Sequence, residues 1–385
     1  MRQALYKLLL SSRAKRRYKT LNLITLSRAA ALHNVELVQK QHPSFSIIPV
    51  LKANAYGHGL TQMAEILNGA DIDLLAVDGY FEAAKIRHIT KHQILVLGYI
   101  LPNNAKLLDT KRCSFVVQDK AGLEAFGRLK KPVRVHVELN TGMNRLGLQP
   151  DELDDYLKVL KLFPKLELEG VMTHLADADN ETDDSFTNSQ VKLFDGLVEQ
   201  ILARGFKPRY VHIAQTAGSA KARSRHANAL RLGIGQYGIN PLGHSDKQRN
   251  QLDKLKPVLE LTSTIIKTID LKPGDRVSYN GIFTAKKPIK IGVLPLGYYE
   301  GVPREFSNTG MVSHGDKLLP IVGRVCMNHT MIDLGGTDLK VGDEVTIFSA
   351  DPSEPNSIAH LSAKRQLFPY TLLTGLSSTI RRKVV

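Results

Sequence analysis

The chain has 385 residues, of which 43% are hydrophobic and 23% charged, and this balance indicates a globular protein rather than a disordered or fibrous one. Its length exceeds one ordinary core, so we expect one large and one smaller domain, and because no apolar run reaches ~18 residues no membrane span is predicted. Two cysteines, Cys113 and Cys326, are too few for a disulfide framework and favour a reducing, cytoplasmic location.

The first predicted element is a basic tail over residues 1–20. Seven Lys and Arg residues precede Asn22 with no acidic residue among them, and they supply part of the net charge of +15. A solvated tail is the plain interpretation, and contact with a membrane surface or a nucleic acid is the alternative. No zinc-binding, helix-turn-helix or RNA-binding motif is present, so we predict no metal site and no nucleic-acid or membrane partner.

From about residue 45 onward, eight short apolar runs alternate with amphipathic, helix-like stretches. Continuous rather than alternating apolar residues are typical of strands buried on both faces, as in a parallel sheet. Eight strand–helix units predict an α/β fold, a (β/α)8 TIM-type barrel over residues 21–250, with its chemistry at the carboxyl ends of the strands. The runs are 46–51, 74–77, 94–97, 114–117, 133–139, 169–174, 210–213 and 230–234.

The pattern changes after Asn250. Apolar stretches separated by Gly- and Pro-containing turns predict strands rather than strand–helix units. The predicted strands are 258–270, 289–294, 318–325, 329–334 and 344–349. We therefore expect a separate, mostly-β domain over residues 251–385.

The strongest local signal is the segment 50–59, which reads VLKANAYGHG. A lysine that leaves a buried strand at the mouth of a barrel is partly desolvated, which favours the neutral amine that attacks a carbonyl carbon. Tyr56 can place its hydroxyl toward a phosphate, and Gly57 and Gly59 allow close backbone approach. Taken alone, a lysine at a strand end is more often one half of an ion pair at the barrel rim.

This segment closely matches the motif of alanine racemases, in which the lysine holds pyridoxal phosphate covalently. The chain resembles that family over residues 21–382, and further motifs recur in the family's order. The resemblance implies a pyridoxal-phosphate-dependent isomerase that interconverts L- and D-alanine by proton transfer from two bases, supplying D-alanine for the peptidoglycan of the cell wall. It also implies a head-to-tail homodimer with shared active sites.

Several residues acquire a role through this resemblance. The motifs that carry them are 136–147, 173–176, 212–218, 231–235, 276–281, 296–298 and 325–327. The residues for the cofactor are Lys52, Tyr56, His174, Thr216, Arg231, Gly233, Ile234 and Tyr370, and those for the substrate are Arg145, Tyr298 and Met327.

Three of these residues define the expected chemistry. Arg231 faces the pyridine nitrogen of the cofactor in the family. Because a guanidinium does not accept a proton, it leaves that nitrogen neutral and favours return of the proton to the α-carbon of the substrate. Lys52 then serves one face of the substrate, and Tyr279 of a partner subunit serves the other.

Some positions depart from the family pattern. Gln215 stands where Asn is usual. Near the substrate entry, Glu300 stands where Asp is usual, and Asn328 replaces an Asp. Glu138 stands seven residues before Arg145, where many relatives have a lysine that is often carbamylated. We predict that the charge of Glu138 replaces the carbamate and holds Arg145, directly or through a water.

Other activities of related barrels stay open at this point. A racemase of the same fold acting on serine, lysine or many amino acids would share these motifs. A non-catalytic pyridoxal-phosphate-binding barrel lacks the β domain and Tyr279, which this chain has. Related barrel decarboxylases usually have an acid opposite the pyridine nitrogen, where this chain has Arg231.

Overall fold

The computed structural model describes residues 18–365 and 367–385, so the predicted basic tail lies outside the described residues as far as residue 17. In chain order the strands are β1 (Asn22–Leu26), β2 (Ser46–Pro49), β3 (Leu74–Val77), β4 (Gln93–Val96), β5 (Cys113–Val117), β6 (Val133–Glu138), β7 (Leu166–Met172), β8 (Tyr210–His212), β9 (Ala229–Leu232), β10 (Leu259–Thr264), β11 (Lys267–Leu271), β12 (Arg276–Val277), β13 (Phe283–Thr284), β14 (Ile289–Leu294), β15 (Met311–His314), β16 (Lys317–Pro320), β17 (Thr330–Asp333), β18 (Glu344–Phe348) and β19 (Arg381–Val384). The right-handed α-helices are α1 (Arg28–Gln41), α2 (Leu60–Leu67), α3 (Tyr80–Ile86), α4 (Lys120–Gly127), α5 (Leu153–Lys161), α6 (Ser185–Ala203), α7 (Thr216–Lys221), α8 (Ile358–Arg365) and α9 (Pro369–Thr374).

Eight parallel strands form the barrel that the apolar runs predict. They are hydrogen-bonded in the order β2-β9-β8-β7-β6-β5-β4-β3, and a parallel bridge between Val50 and Ala76 connects β2 back to β3. Strands such as β3 and β5 are buried at every residue, which explains why their sequences are continuous apolar runs. The prediction of a TIM-type barrel followed by a mostly-β domain is confirmed.

The barrel helices follow from capping residues and amphipathic sequence. The Ser27 hydroxyl accepts the Ala30 N–H at the start of α1, and the Asp119 carboxylate accepts the Gly122 N–H at the start of α4. Each such bond satisfies a backbone donor that the helix itself leaves unpaired. Helix α5 places its apolar residues on one face, so that face is buried while its Lys and Asp residues are exposed.

The second part of the chain forms smaller sheets that are mainly antiparallel. One has the order β16-β15-β18-β10-β1-β19, one has the order β11-β14-β17, and β12 pairs with β13. The predicted single strand 258–270 is wrong, because the chain turns between β10 and β11 and the two strands belong to different sheets. The sequence predicts no strand at β1, β12, β13, β15 or β19.

The described residues divide into two compact units. The barrel unit comprises Leu26–Leu259, Ser349–Ser378 and Val384–Val385, and the β unit comprises residues 18–25, Glu260–Phe348 and Thr379–Lys383. Helices α8 and α9 thus belong to the barrel unit. The sequence-based division at residues 250 and 251 stays a prediction. No helix in the described ranges is long and apolar enough to cross a membrane.

Candidate active site

A cavity of about 350 Å³ opens among the carboxyl ends of the barrel strands, a volume typical of small-molecule sites. Residues at the ends of β2, β3, β4, β6, β7, β8 and β9, or on the segments that follow them, line it, as expected for the mouth of this fold. The residues that line it include Lys52, Tyr56, Asp78, Gly98, Glu138, Arg145, His174, Gln215, Arg231 and Gly233.

Lys52 begins a turn that is left-handed. Ala53, Asn54 and Ala55 have φ of 54–55°, and Tyr56 has φ of 49°. This hand places Cβ close to the following carbonyl oxygen and costs roughly 1–2 kcal/mol per residue, so surrounding contacts must hold it. The backbone N–H of Asn54 donates to the Glu82 carboxylate, and the Asn54 side chain accepts the N–H of Leu60.

The end of this turn shows why the motif needs glycine. Gly57 has φ of 79°, and a Cβ at that position would lie 1.9 Å from the carbonyl oxygen of Leu373 in α9. Tyr370, which lies in the same helix, has its ring centroid 6.0 Å from that of Tyr56. The glycine therefore lets the turn approach the helix that carries Tyr370. Burial, with a smaller effect of Asp78, raises the pKa of Tyr56 to about 12, so its hydroxyl is protonated and can donate.

The ends of β2, β8 and β9 converge on one point of the cavity. A Cβ on Gly233 would lie 3.1 Å from the Tyr56 hydroxyl and 3.8 Å from the Thr216 hydroxyl. The Thr216 hydroxyl also accepts the backbone N–H of Gly235 at 3.1 Å. Nearby, the side-chain oxygen of Gln215 is buried without a hydrogen-bond partner in the described part of the chain. Two hydroxyls and an open glycine backbone thus face the same space.

Arg231 is 3% exposed and is held by a dense set of acceptors. One terminal nitrogen donates to Nδ1 and to the carbonyl oxygen of His212, at 2.8 and 2.9 Å. The other lies 2.6 Å from the carbonyl oxygen of Thr173 and 3.3 Å from Nδ1 of His174. Burial lowers the pKa of the guanidinium to about 10, so it stays a cation near neutral pH. Among the described residues its Nε–H has no hydrogen-bond acceptor, which leaves one donor for a ligand in the cavity.

His174 is held beside Arg231 as a neutral imidazole. Burial, followed by the charges of Arg231, Arg145 and Lys52, lowers its pKa from 6.5 to about 3. Lys52 itself is half-buried, and its Nζ lies 3.9 Å from the Asp78 carboxylate, an ion pair that is mostly exposed. The floor of the cavity therefore holds a fixed cation and a neutral imidazole, and its rim holds a movable amine.

Glu138 is the last residue of β6, and Arg145 lies on the loop that follows this strand. Asn140 accepts the backbone N–H groups of Gly142 and Asn144, which fixes the loop and directs Arg145 to the cavity. Burial raises the pKa of Glu138, against the lowering effects of Arg231 and Arg145. No ion pair of 4.0 Å or less joins Glu138 to Arg145 in the described ranges, so the predicted direct contact is absent and the water-bridged form stays a prediction.

Three further predicted site residues lie in the β unit. Tyr279 is 68% exposed on the turn between β12 and β13 and borders an apolar cavity of about 420 Å³ that also contacts Cys326. Tyr298 donates its backbone N–H to the Cys326 carbonyl, and Met327 is the next residue. Both side chains are about half exposed, Tyr298 at 45% and Met327 at 55%. The motifs 296–298 and 325–327 are thus neighbours, as the resemblance implies.

Sequence reasoning missed several polar residues at the site. Asp78 directly follows β3 and Gln118 directly follows β5, so the rule that chemistry lies at strand ends would have found both. His136, His212 and Glu169 lie inside strands, where the sequence signal was only that a polar residue interrupts an apolar run.

The chain matches known proteins along nearly its whole length. Two family models fit, "Alanine racemase, N-terminal domain" over residues 26–241 and "Alanine racemase, C-terminal domain" over residues 258–384. A curated alanine racemase from Vesicomyosocius okutanii subsp. Calyptogena okutanii (strain HA) is 32% identical over 359 residues, which cover 93% of this chain and 97% of that protein.

Solved structures agree with the sequence comparison. The alanine racemase from Bacillus anthracis, solved with bound L-Ala-P, superposes with a TM-score of 0.86 at 29% identity and covers 96% of each chain. The alanine racemase from Bartonella henselae, solved with covalently bound pyridoxal phosphate, superposes with a TM-score of 0.81 at 24% identity, covering 95% of this chain and 100% of that one. At that identity the second comparison shows the fold alone.

Proposed function

The chain belongs to the alanine racemase family, and from that premise we propose that it interconverts L-alanine and D-alanine with pyridoxal phosphate bound to Lys52. The observation that carries the proposal is the shared cavity of Lys52 and Arg231. It places a half-buried amine at the rim and a buried, permanently charged guanidinium at the floor. D-Alanine made in this way supplies the peptidoglycan of the cell wall.

The residues present fit pyridoxal phosphate. The hydroxyls of Tyr56 and Thr216 converge on Gly233, where a side chain would obstruct a phosphate. In the described residues no group of His, Cys, Asp or Glu could hold a metal ion instead. We assign the phosphate to Tyr56, Thr216, Gly233 and Ile234, with Tyr370 alongside. When bound, the cofactor supplies an electron sink that lets the α-proton of an amino acid leave.

Arg231 favours racemisation over other reactions of the same cofactor. Its terminal nitrogens are held by backbone carbonyls and two imidazoles, so its Nε–H is the donor left to meet the pyridine nitrogen. Because a guanidinium cannot accept a proton, Arg231 would leave that nitrogen unprotonated and so favour return of the proton to the α-carbon of the substrate.

Two bases are needed because the two protons are exchanged on opposite faces of a planar carbon. Lys52 moves the proton on one face. For the other we propose Tyr279, a poor base unless a neighbouring cation stabilises its phenolate, as Arg231 would do, whereas the neutral His174 supplies no such charge. Its exposed ring suits contribution from a partner subunit, so we propose a head-to-tail homodimer. Arg145 and the Met327 backbone would hold the substrate carboxylate, with Tyr298 lining the entry.

The test is racemisation of L-alanine by the protein loaded with pyridoxal phosphate, followed by chiral chromatography. Serine and lysine in the same assay define the substrate range. Lys52→Ala should lose both D-alanine formation and the visible absorbance of the bound cofactor. Lys85→Ala, an exposed lysine on α3, should keep both. The absence of D-alanine with the wild-type protein, or full activity of Lys52→Ala, would overturn the proposal.

A further inference from the structure

One buried lysine of the barrel unit takes no part in the proposed chemistry. Lys221 ends α7, and its side chain is 2% exposed. Its Nζ lies 2.6 Å from the Asp246 carboxylate, 3.0 Å from the Asp184 carboxylate and 2.5 Å from the carbonyl oxygen of Asn180. The ammonium group therefore donates a hydrogen bond to a carbonyl oxygen and forms ion pairs with two carboxylates. The Asp246 side chain is fully buried, whereas that of Asp184 is 35% exposed. We call Lys221, Asp184 and Asp246 the buried triad, after its buried ammonium group.

The members of the buried triad come from different connections of the barrel. Asp184 lies between β7 and α6, Lys221 lies after β8, and Asp246 lies after β9. A second contact joins the first and last of these connections, because the Glu181 carboxylate accepts the backbone N–H of Ser245 at 3.1 Å and also its hydroxyl. The triad thus ties together the segments that follow three consecutive barrel strands, β7, β8 and β9.

Each of these connections begins with a residue of the proposed cofactor site. His174 follows β7, Thr216 opens α7, and Gly233 follows β9. We propose that the buried triad is a positioning group that sets the distance between Thr216 and Gly233, and through it the place where the phosphate binds. The proposal rests on the proposed function, since it assigns a role toward the same cofactor.

The charges of the triad make a selective experiment possible. Replacing Lys221 alone leaves two carboxylates close together without their counter-ion, which strongly destabilises a buried site. Replacing all three charged groups together removes the repulsion, and such replacements are often nearly neutral. Lys221→Met should therefore disturb the connections, and Lys221→Met with Asp184→Asn and Asp246→Asn should restore them. Lys192→Met, an exposed lysine on α6, is the matched control.

The measurement is titration of the full-length, cofactor-free protein with pyridoxal phosphate and, separately, with pyridoxal, which lacks the phosphate. We expect Lys221→Met to raise the Kd for pyridoxal phosphate by about tenfold or more, while the Kd for pyridoxal changes by less than about twofold. The Kd of the triple variant for pyridoxal phosphate should return to within about threefold of the wild-type value, and that of Lys192→Met should equal the wild-type value. If Lys221→Met does not fold, Asp246→Asn is the second variant, and it should raise the Kd for pyridoxal phosphate by a smaller factor.

The outcomes separate the two proposals. Equal weakening of pyridoxal phosphate and pyridoxal would show a general effect on the fold and overturn the positioning role. An unchanged Kd for pyridoxal phosphate in Lys221→Met, with a wild type that binds it, would overturn this inference alone. A wild-type protein that binds neither compound would overturn the proposed function, and this inference with it.

Discussion

The Nδ1 atom of His212 lies 2.8 Å from a terminal nitrogen of the Arg231 guanidinium. A guanidinium only donates hydrogen bonds, so Nδ1 accepts and the neutral imidazole carries its proton on Nε2. That Nε2 lies 2.9 Å from Nδ1 of His136, which must accept in turn, and Nε2 of His136 lies 3.1 Å from the Glu169 carboxylate. The Arg231 guanidinium at one end only donates and the Glu169 carboxylate at the other end only accepts. Both imidazoles between them therefore carry their proton on Nε2.

Glu169→Gln should lower the free energy of unfolding by about 1–3 kcal/mol. The carboxylate of Glu169 accepts from Ser114 and His136 and lies 3.7 Å from an Arg134 nitrogen, whereas an amide offers one acceptor and adds a donor in the same place. Glu167→Gln, an exposed position two residues earlier on β7, should change stability by less than about 0.5 kcal/mol. Urea unfolding measures both, and equal stability of the two variants would contradict the argument.

The neutral state of His174 makes the fold sensitive to acid. Its pKa is about 3 in the folded protein and near the reference value of 6.5 in the unfolded chain. Between these values the unfolded chain binds a proton that the folded protein does not, so stability falls as the pH falls, by about 1.4 kcal/mol per pH unit for one such group. The contribution is absent above pH 6.5.

His174→Asn should therefore make the decline in stability between pH 6.5 and pH 4.5 shallower. Burial also lowers the pKa of His136 and His212, so part of the decline will remain. Urea unfolding of the cofactor-free protein at several pH values measures it, and His88→Asn, an exposed histidine, is the control. A decline as steep in His174→Asn as in the wild type would show that the imidazole is charged in the folded state.

The barrel could be predicted because its signal is local. Strands such as β3 and β5 are continuous apolar runs, as burial on both faces requires, and a predicted run overlaps each of the eight strands. Strand β19, by contrast, reads RRKV and is half exposed, and it is a strand only because it pairs at the edge of a sheet with β1, far away in sequence. No pattern within residues 381–384 indicates such a pairing.

The candidate site likewise has a part that the sequence predicts and a part that it does not. Lys52 and Tyr56 lie within one contiguous motif, so the sequence singles them out. The chain from Arg231 through His212 and His136 to Glu169 crosses four strands, β9, β8, β6 and β7, and depends on which side chains the barrel brings face to face. The buried triad depends likewise on three connections that meet only in the folded chain.

Tyr279→Phe tests the proposed second base. Ser278, Asn280 and Gly281 all have positive φ, and Arg276 donates to the Asn280 carbonyl, so the tyrosine lies on a tightly held turn. Loss of one exposed hydroxyl should leave the melting temperature unchanged but slow racemisation by about 100-fold or more. Tyr299→Phe, another exposed tyrosine of the β unit, should keep activity. Full-rate exchange of solvent deuterium into L-alanine by Tyr279→Phe would rule out this role.

Glu138→Gln separates the proposed role of Glu138 in activity from its effect on stability. The carboxylate is 6% exposed at the end of β6 and borders the cavity together with Arg145. Burial raises its pKa in the folded protein, so the ionised form disfavours the fold at pH values above that pKa, and this penalty disappears at low pH, where both states are protonated. The variant should therefore be more stable than the wild type at pH 8 and equally stable near pH 4.

Glu138→Gln should lower activity, although it raises stability at pH 8. If the negative charge of Glu138 orients Arg145 through a water, its removal should lower kcat/KM by about tenfold, equivalent to ~1.4 kcal/mol. A permanent carboxylate needs no bicarbonate, so activity should not respond to its addition or removal, and the intact mass should show no carbamyl adduct. Glu152→Gln, on an exposed turn before α5, is the control. A Glu138→Gln variant as active as the wild type would assign the buried carboxylate no part in catalysis.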